Sequence, residues 1–243
     1  MVKLYYNAFG TLNINPLEAV MHKFKFTDLL IGLVFTLLFI SIAVVITVNF
    51  RPLYYLDINM LHIAEYSGFS KDVIRENYDA LIDYSFPLFK GPLQFPTLPS
   101  SVNALIHFSE VKNIFTSFYI LGLICLVLGV IIIVYKTKNG DHSYLLVSAI
   151  TAVVLPSILA VFLAINFDRA FIMFHKLFFK NDYWLFDPNT DPVITILPDT
   201  FFMHCALMII VIVVLFSIAF LFVYLWKKQY TGIKYRKNKG LKF

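Results

Sequence analysis

Four long apolar runs divide the chain, and each is long enough to cross a membrane as a helix. A helix needs about 20 apolar residues to span about 30 Å of hydrocarbon. None of the runs contains Asp, Glu, Lys or Arg, and they lie at about 29–48, 114–135, 144–165 and 203–226. The pattern predicts an all-α polytopic membrane protein with four transmembrane helices.

The segments between the runs complete the predicted organisation. We expect a cytoplasmic N-terminal segment, spans, outer loops, one inner turn and a basic cytoplasmic tail. The N-terminal segment covers 1–28 and the tail covers 227–243. The spans cover 29–49, 114–135, 144–165 and 203–226, the outer loops cover 50–113 and 166–202, and the inner turn covers 136–143. Residues 1–20 carry no readable motif, and Met21 is a second candidate for the natural start. The first apolar run is too long for a cleaved signal peptide, so it should be retained.

The distribution of charge predicts the orientation. The N-terminal segment, the inner turn and the tail hold twelve Lys or Arg against three acids, whereas the two long loops hold eight against twelve. Positive residues are retained on the cytoplasmic side, so both termini are predicted inside and both long loops outside. The net charge of +5 then reflects membrane topology, and no nucleic-acid partner is expected.

The two outer loops contain signals for a structured cap. Ser70 is a predicted N-cap for an amphipathic helix that ends before Pro87, and a proline-rich connector follows it. A second helix is predicted to start at Ser100 or Ser101 and to run into the second span. In the other loop, residues 183–197 read as a short β-hairpin, because aromatic and β-branched residues flank a turn signal.

Polar residues on these elements suggest a site near the outer membrane face. Asn103, His107 and Glu110 share one helix face, and Asp168 and His175 share another if the helix of the third span continues or restarts. Histidine is the side chain whose ordinary pKa lies nearest neutrality. A histidine in each outer loop therefore suggests a cap that encloses a small polar site.

The stretch FHKLFFKNDYWLFDP at 174–188 is unusual because six of its fifteen residues are aromatic and polar residues lie among them. An aromatic belt at the headgroup level explains the aromatic residues but not the histidine or the Asn-Asp pair. Asn181 and Asp182 fit best as residues that cap a helix or shape a turn. Trp184 and Phe186 are predicted to form a lid over the site.

Other chemistries lack sequence support. Only Cys125 and Cys205 occur, both in apolar runs, and no zinc, nucleotide or serine-hydrolase motif is present. We predict no metal, no cofactor and no obligatory protein partner. The alternatives to an enzyme are a non-enzymatic accessory or lipid-sensing module and, with less support, a channel, since the spans carry no ionisable pathway.

The stretches FPTLPSSVNALIHFSEVK and FHKLFFKNDYWLFDPNTDP, with four spans, resemble the bacterial lipoprotein intramolecular transacylase family, Lit. The resemblance runs from Met21 to about Trp226. It implies an acyltransferase in the cell membrane that moves the sn-2 acyl chain of an S-diacylglyceryl-cysteine lipoprotein onto its own α-amine. The resemblance places two functional histidines at His107 and His175, facing outward, with the lipoprotein N-terminus and membrane lipid as partners.

Overall fold

The computed structural model describes residues 26–238, with the backbone only at residues 155, 159, 162–164 and 231–238. The expectations about residues 1–20 and Met21 lie outside the described residues. Within the described part the secondary structure is helical. The helices are α1 (Phe26–Asn49), α2 (Arg51–Met60), α3 (Ile63–Ser67), α4 (Lys71–Ser85), α5 (Val102–Lys138), α6 (Ser143–Ile165), α7 (Phe167–Phe178), α8 (Val193–Ile196) and α9 (Asp199–Asn238).

The four long helices form a bundle with α1 at its centre. Helix α1 packs against α5, α6 and α9, and α6 also packs against α9. The bundle core is apolar and aromatic, and Phe35 and Phe39 of α1 contact Phe220 of α9 with ring centroids 4.9 Å apart in each pair. Buried aromatic rings of this kind contribute both area and ring-ring contact to packing.

Among the described residues, three helices are long and apolar enough to cross a membrane: α1, α5 and the Asp199–Tyr230 part of α9. The third predicted span, 144–165, corresponds to α6, a 23-residue helix with Pro156 in its interior. The all-helical membrane class is therefore confirmed, and the count of four spans stays a prediction.

Residues 51–101 and 167–198, here called the cap, cover one end of this bundle. The cap has its own core, in which Tyr54, Ile58 and Ile74 are almost fully buried. Tyr54 donates a hydrogen bond of 2.6 Å to the carbonyl of Ile196. The carboxylate of Asp191 accepts one of 2.6 Å from the backbone N–H of Ser101. These two bonds join the two segments of the cap.

The predicted helix starts in the cap are confirmed. The Ser70 hydroxyl accepts a hydrogen bond from the N–H of Val73, and α4 ends at Ser85. The Ser101 hydroxyl accepts one from the N–H of Ala104, and α5 then continues without a break to Lys138. Such side-chain caps satisfy backbone donors that have no partner inside the helix.

The predicted β-hairpin at 183–197 is wrong. Within this described segment there is no strand: Asp187 begins a turn whose carbonyl accepts from the N–H of Asp191, and α8 follows. Val193 and Ile196, which suggested a strand, are three residues apart and both buried in the cap core. A β-branched residue packs well on any buried surface of suitable shape. Packing in the cap core, rather than strand propensity, therefore determines the conformation of this segment.

A buried ion cluster closes the end of the bundle opposite the cap. Lys136 of α5 lies between two carboxylates, with its Nζ 2.6 Å from Oδ1 of Asp28 and 2.8 Å from Oδ2 of Asp141. The hydroxyl of Ser143 donates to Asp141 as well. The cluster therefore links α1, α5 and the start of α6.

A second buried pair joins the cap to the bundle. Asp57 of α2 is 1% exposed, and both of its carboxylate oxygens lie 2.9 Å from Nδ1 of His204 in α9. A buried carboxylate is costly unless a partner satisfies it. No local sequence signal predicts this pair, because the two residues are 147 positions apart.

We expect His204→Ala to lower the free energy of unfolding by about 3 kcal/mol, because it leaves the Asp57 carboxylate buried without a partner. Thermal unfolding in detergent would measure the change. The double variant Asp57→Asn/His204→Ala should be less destabilised than His204→Ala, and His62→Asn, at an exposed cap position, serves as control. Equal stability of His204→Ala and the native protein would contradict this role.

Candidate active site

His107 lies on the part of α5 that extends beyond the apolar run. Helix α5 has 37 residues, about 55 Å of length, so its first turns stand outside the 30 Å hydrocarbon layer. The His107 side chain is only 5% exposed. Its Nδ1 is buried and has no hydrogen-bond partner among the described residues.

His175 lies near the C-terminal end of α7, the amphipathic helix that follows α6. Asn166 caps this helix by accepting a hydrogen bond of 2.9 Å from the N–H of Arg169. The His175 ring is buried, and its Nδ1 lies 2.8 Å from the carbonyl oxygen of Phe171. Because a carbonyl only accepts, Nδ1 carries the proton, and Nε2 holds the free lone pair in the neutral ring.

The structure brings the two histidines together. Their ring centroids are 5.8 Å apart with an angle of 31° between the planes. Aromatic rings surround the pair: Phe179 lies 4.6 Å from His107, and Phe171 lies 4.2 Å from His175. The predicted proximity is confirmed, whereas the catalytic role of the pair remains a prediction.

Burial keeps both histidines neutral near neutral pH. It lowers the pKa of His107 to about 4, and the neighbouring His175 lowers that pKa further in the same direction. Burial also lowers the pKa of His175, although its bond to the Phe171 carbonyl and the charge of Asp199 act in the opposite direction. A low-dielectric environment disfavours the charged imidazolium.

The two residues predicted to form a lid lie directly on the histidines. The Trp184 ring centroid is 4.8 Å from that of His175, and Phe186 lies 5.5 Å from His107. Phe186 also contacts Phe108 at 5.4 Å. The indole Nε1 of Trp184 is buried without a partner within the described chain. The aromatic stretch thus covers the pair.

Glu110 of α5 and Asn181 of the second cap segment form a link beside the pair. Asn181 donates a hydrogen bond of 2.8 Å to Oε1 of Glu110 and accepts one of 3.1 Å from the N–H of Tyr183. The other oxygen of Glu110 is buried and unpaired in the described structure. Glu110 also lines an open cavity of about 270 Å³. The predicted proximity of Glu110 and Asn181 to the site is therefore observed.

Three other predicted site residues differ from the buried pair in their exposure. Asn103, Asp168 and Asp182 all have exposed side chains. Asp182 uses its backbone carbonyl to accept from the N–H of Leu185, which fits the predicted turn role. Helical periodicity placed Asn103 on the His107 face, but the residue lies one turn nearer the solvent.

A family model described as lipoprotein intramolecular transacylase Lit matches residues 29–202. The chain belongs to the Lit family. It is similar to an in meso structure of the membrane integral lipoprotein intramolecular transacylase Lit from Bacillus cereus, at 36% identity and a TM-score of 0.81, over 85% of this chain and 98% of that one. No curated protein matches the chain in sequence.

Two further structures of the Bacillus cereus protein are similar at the same 36% identity. One carries a histidine-to-alanine mutation and has a TM-score of 0.78, over 85% of this chain and 96% of that one. The other carries a histidine-to-arginine mutation and has a TM-score of 0.77, over 86% and 95%. As a Lit family member, the protein is a membrane-embedded acyltransferase.

The sequence analysis did not single out several residues of this candidate site. Phe171 and Phe179 stand four residues before and after His175, so helical spacing alone would have placed both near its ring. Asp191, which holds the start of α5, carried no such signal because its partner Ser101 is 90 residues away.

Within the described residues no group of three or more His, Cys, Asp or Glu side chains is placed to hold a metal ion. The two cysteines are free thiols. The candidate site contains two neutral imidazoles, a carboxylate with one unpaired oxygen (Glu110) and an unpaired indole N–H (Trp184) within the described structure, beneath aromatic side chains.

We expect the stability of the protein to fall as the pH drops below about 6.5. The unfolded chain then binds protons that the folded His107 binds only near pH 4, which removes about 2 kcal/mol by pH 5 for this residue alone. Thermal unfolding in detergent between pH 7.5 and 5 would measure the loss. His107→Phe should flatten the dependence, whereas His62→Asn should not. Identical pH profiles for His107→Phe and the native chain would contradict the assignment.

Proposed function

We propose that the protein moves the sn-2 acyl chain of an S-diacylglyceryl-cysteine lipoprotein onto the α-amine of the same cysteine. The product is a lyso-form lipoprotein with an N-acyl group. The observation that carries this proposal is the pair of buried, neutral histidines 5.8 Å apart beneath an aromatic cover. Membership of the Lit family supports the substrate class.

The reaction requires two proton movements. The amine nitrogen loses a proton as it forms the new bond to the acyl carbon. The ester C–O bond then breaks, and the glyceryl oxygen takes up a proton, so the overall proton count does not change. An α-amine has a pKa of about 7.7 to 8 and needs a base, while an alkoxide is a poor leaving group unless it is protonated.

His175 suits the role of base. Its Nδ1–H is held by the Phe171 carbonyl, which orients the ring and leaves the Nε2 lone pair available. The third group that orients a base in other catalytic sites is often a carboxylate, and a carbonyl orients the ring in the same way. The lowered pKa keeps Nε2 unprotonated near neutral pH. We assign proton abstraction from the amine to this nitrogen.

His107 then serves as the second acid-base group. It passes a proton to the glyceryl oxygen or donates to the developing oxyanion, and its unpaired Nδ1 supports a contact with substrate. Its pKa of about 4 makes a protonated His107 rare at neutral pH, so the proton comes from the partner imidazole or from a neutral N–H donor. The two rings are close enough to serve one substrate.

No acyl-enzyme is needed in this scheme. The donor ester and the acceptor amine belong to one molecule, so correct placement alone lowers the barrier by several kcal/mol. The ring contacts of the two histidines are made by aromatic side chains, which are not nucleophiles. Cys205 packs against the cap core cluster instead. The aromatic cover also excludes water, which would otherwise compete as an acyl acceptor.

The same scheme places the site at the outer face of the cell membrane, with both termini in the cytoplasm. The charge distribution supports this orientation, because the bundle end opposite the cap is the basic one. The proposed partners are the diacylated lipoprotein N-terminus and membrane lipid. The chemistry calls for no cofactor.

We expect His107→Ala and His175→Ala each to reduce acyl transfer at least about 100-fold, because each removes one acid-base group. Mass spectrometry of N-terminal lipopeptides, from cells or from purified protein in detergent, would measure lyso-form product. His62→Asn, at an exposed cap histidine, should convert normally. Conversion near the native rate by either alanine variant would remove that residue from the mechanism.

The lid has a separate expected outcome. Trp184→Leu together with Phe186→Leu should raise the ratio of free fatty acid to N-acyl product several-fold, because water then reaches the acyl carbon. Leu185→Ala, at an exposed position between the two, is the matched control. The ratio separates a lid from a merely unstable protein, which would slow both products together. If the ratio of free fatty acid to N-acyl product does not change at equal protein amount, the segment acts only as an aromatic belt at the membrane interface.

A further inference from the structure

The buried polar atoms without a partner are not spread evenly over the described residues. Four are hydroxyl groups in other parts of the chain, on Ser41, Thr47, Ser100 and Ser148. The other three belong to the histidine site: Nδ1 of His107, Oε2 of Glu110 and Nε1 of Trp184. Native proteins rarely leave buried polar atoms unpaired, and such atoms at a site indicate a bound group.

Glu110 differs from His107 and Trp184 because one of its two carboxylate oxygens already has a hydrogen-bond partner. Its Oε1 accepts a hydrogen bond from Asn181, which belongs to the other outer segment, so the carboxylate is held in one orientation. Its Oε2 is left with no donor among the described residues. A carboxylate in this state accepts from a cation or an N–H donor.

The space beside Glu110 is large enough for such a group. The cavity of about 270 Å³ is lined by Glu110, Asn113 and Ser117 on one face of α5, and by Phe178 and Phe179 on the other side. The Phe179 ring also lies 4.6 Å from His107. One aromatic ring therefore contacts both the cavity and the histidine pair, and Glu110 follows His107 by one helical turn.

We infer that Glu110 binds the α-ammonium group of the lipoprotein's N-terminal cysteine and positions it beside the histidines. This inference rests on the proposed function and adds a binding residue to it. Near neutral pH most of the free amine is protonated, since its pKa is about 7.7 to 8. A fixed carboxylate selects this form. One proton first passes from nitrogen to Nε2 of His175, and the neutral amine then forms the C–N bond to the ester carbonyl while it still donates to Glu110. As the ester C–O bond breaks, the second proton lost from nitrogen passes to the glyceryl oxygen, and His175 releases the first proton to solvent.

The experiment measures binding of two lipopeptides to the full-length protein in nanodiscs. One is a diacylated lipopeptide with a free α-amine, and the other is its N-acetyl counterpart. The nanodiscs contain phosphatidylglycerol, so the lipid brings no competing primary ammonium such as that of phosphatidylethanolamine. His175→Ala is present throughout to stop turnover. At pH 6.5 the free-amine form should bind at least about tenfold more tightly than the N-acetyl form.

Glu110→Gln should reduce this preference to within about twofold. Glutamine keeps the shape and can still accept from Asn181, so the variant removes charge while preserving the link between the segments. Glu76→Gln, an exposed carboxylate of the cap, should keep the tenfold preference. A preference that survives Glu110→Gln would overturn the inference.

A measurement without the Glu110 variant gives a second test. The preference for the free-amine form should fall between pH 7 and 9, as the amine loses its proton. A preference that does not change over this range would overturn the ammonium contact. Failure of the proposed function is seen separately: the native chain, incubated with the free-amine lipopeptide, would yield no N-acyl product whatever the binding data show.

Discussion

Helix α5 is longer than the membrane is thick, and the cap depends on this excess. About 55 Å of continuous helix leaves several turns beyond the hydrocarbon layer, so His107 and Glu110 stand on the same rigid element that packs against α1 in the bundle. A loop in this place would leave both side chains free to move. The site is therefore positioned by the bundle itself, and the second cap segment, 167–198, brings His175 and the aromatic cover to it.

Several features of the candidate site lower the stability of the folded protein. Two imidazoles are buried with lowered pKa values, and an indole N–H and a carboxylate oxygen lack partners within the described structure. Each such group costs free energy in the absence of a ligand. Active sites commonly retain such costs, because groups that are satisfied in the free enzyme have less to offer a substrate. The apolar cap core, centred on Tyr54 and Ile58, offsets them.

Local signals in the sequence were sufficient for some features and not for others. Ser70 and Ser101 were predictable as caps because their hydrogen bonds span three residues. The two histidines were predictable from their polar companions and from the family resemblance. The contact between Glu110 and Asn181 joins residues 71 positions apart, and α8 forms because Val193 and Ile196 are buried by distant residues. Periodicity carries no information about such partners.

The ion cluster around Lys136 has a consequence for how the molecule responds to its surroundings. Lys136 is 7% exposed, so dissolved salt screens its bonds to Asp28 and Asp141 weakly. At the cap end, Arg51 pairs with Asp79 and Asp83, but its side chain is 30% exposed and its bonds are open to screening. Ionic strength therefore acts on the two ends unequally. The bundle therefore has one end held by an ion cluster that is shielded from solvent, while the ion pairs of the cap at the other end weaken as the salt concentration rises.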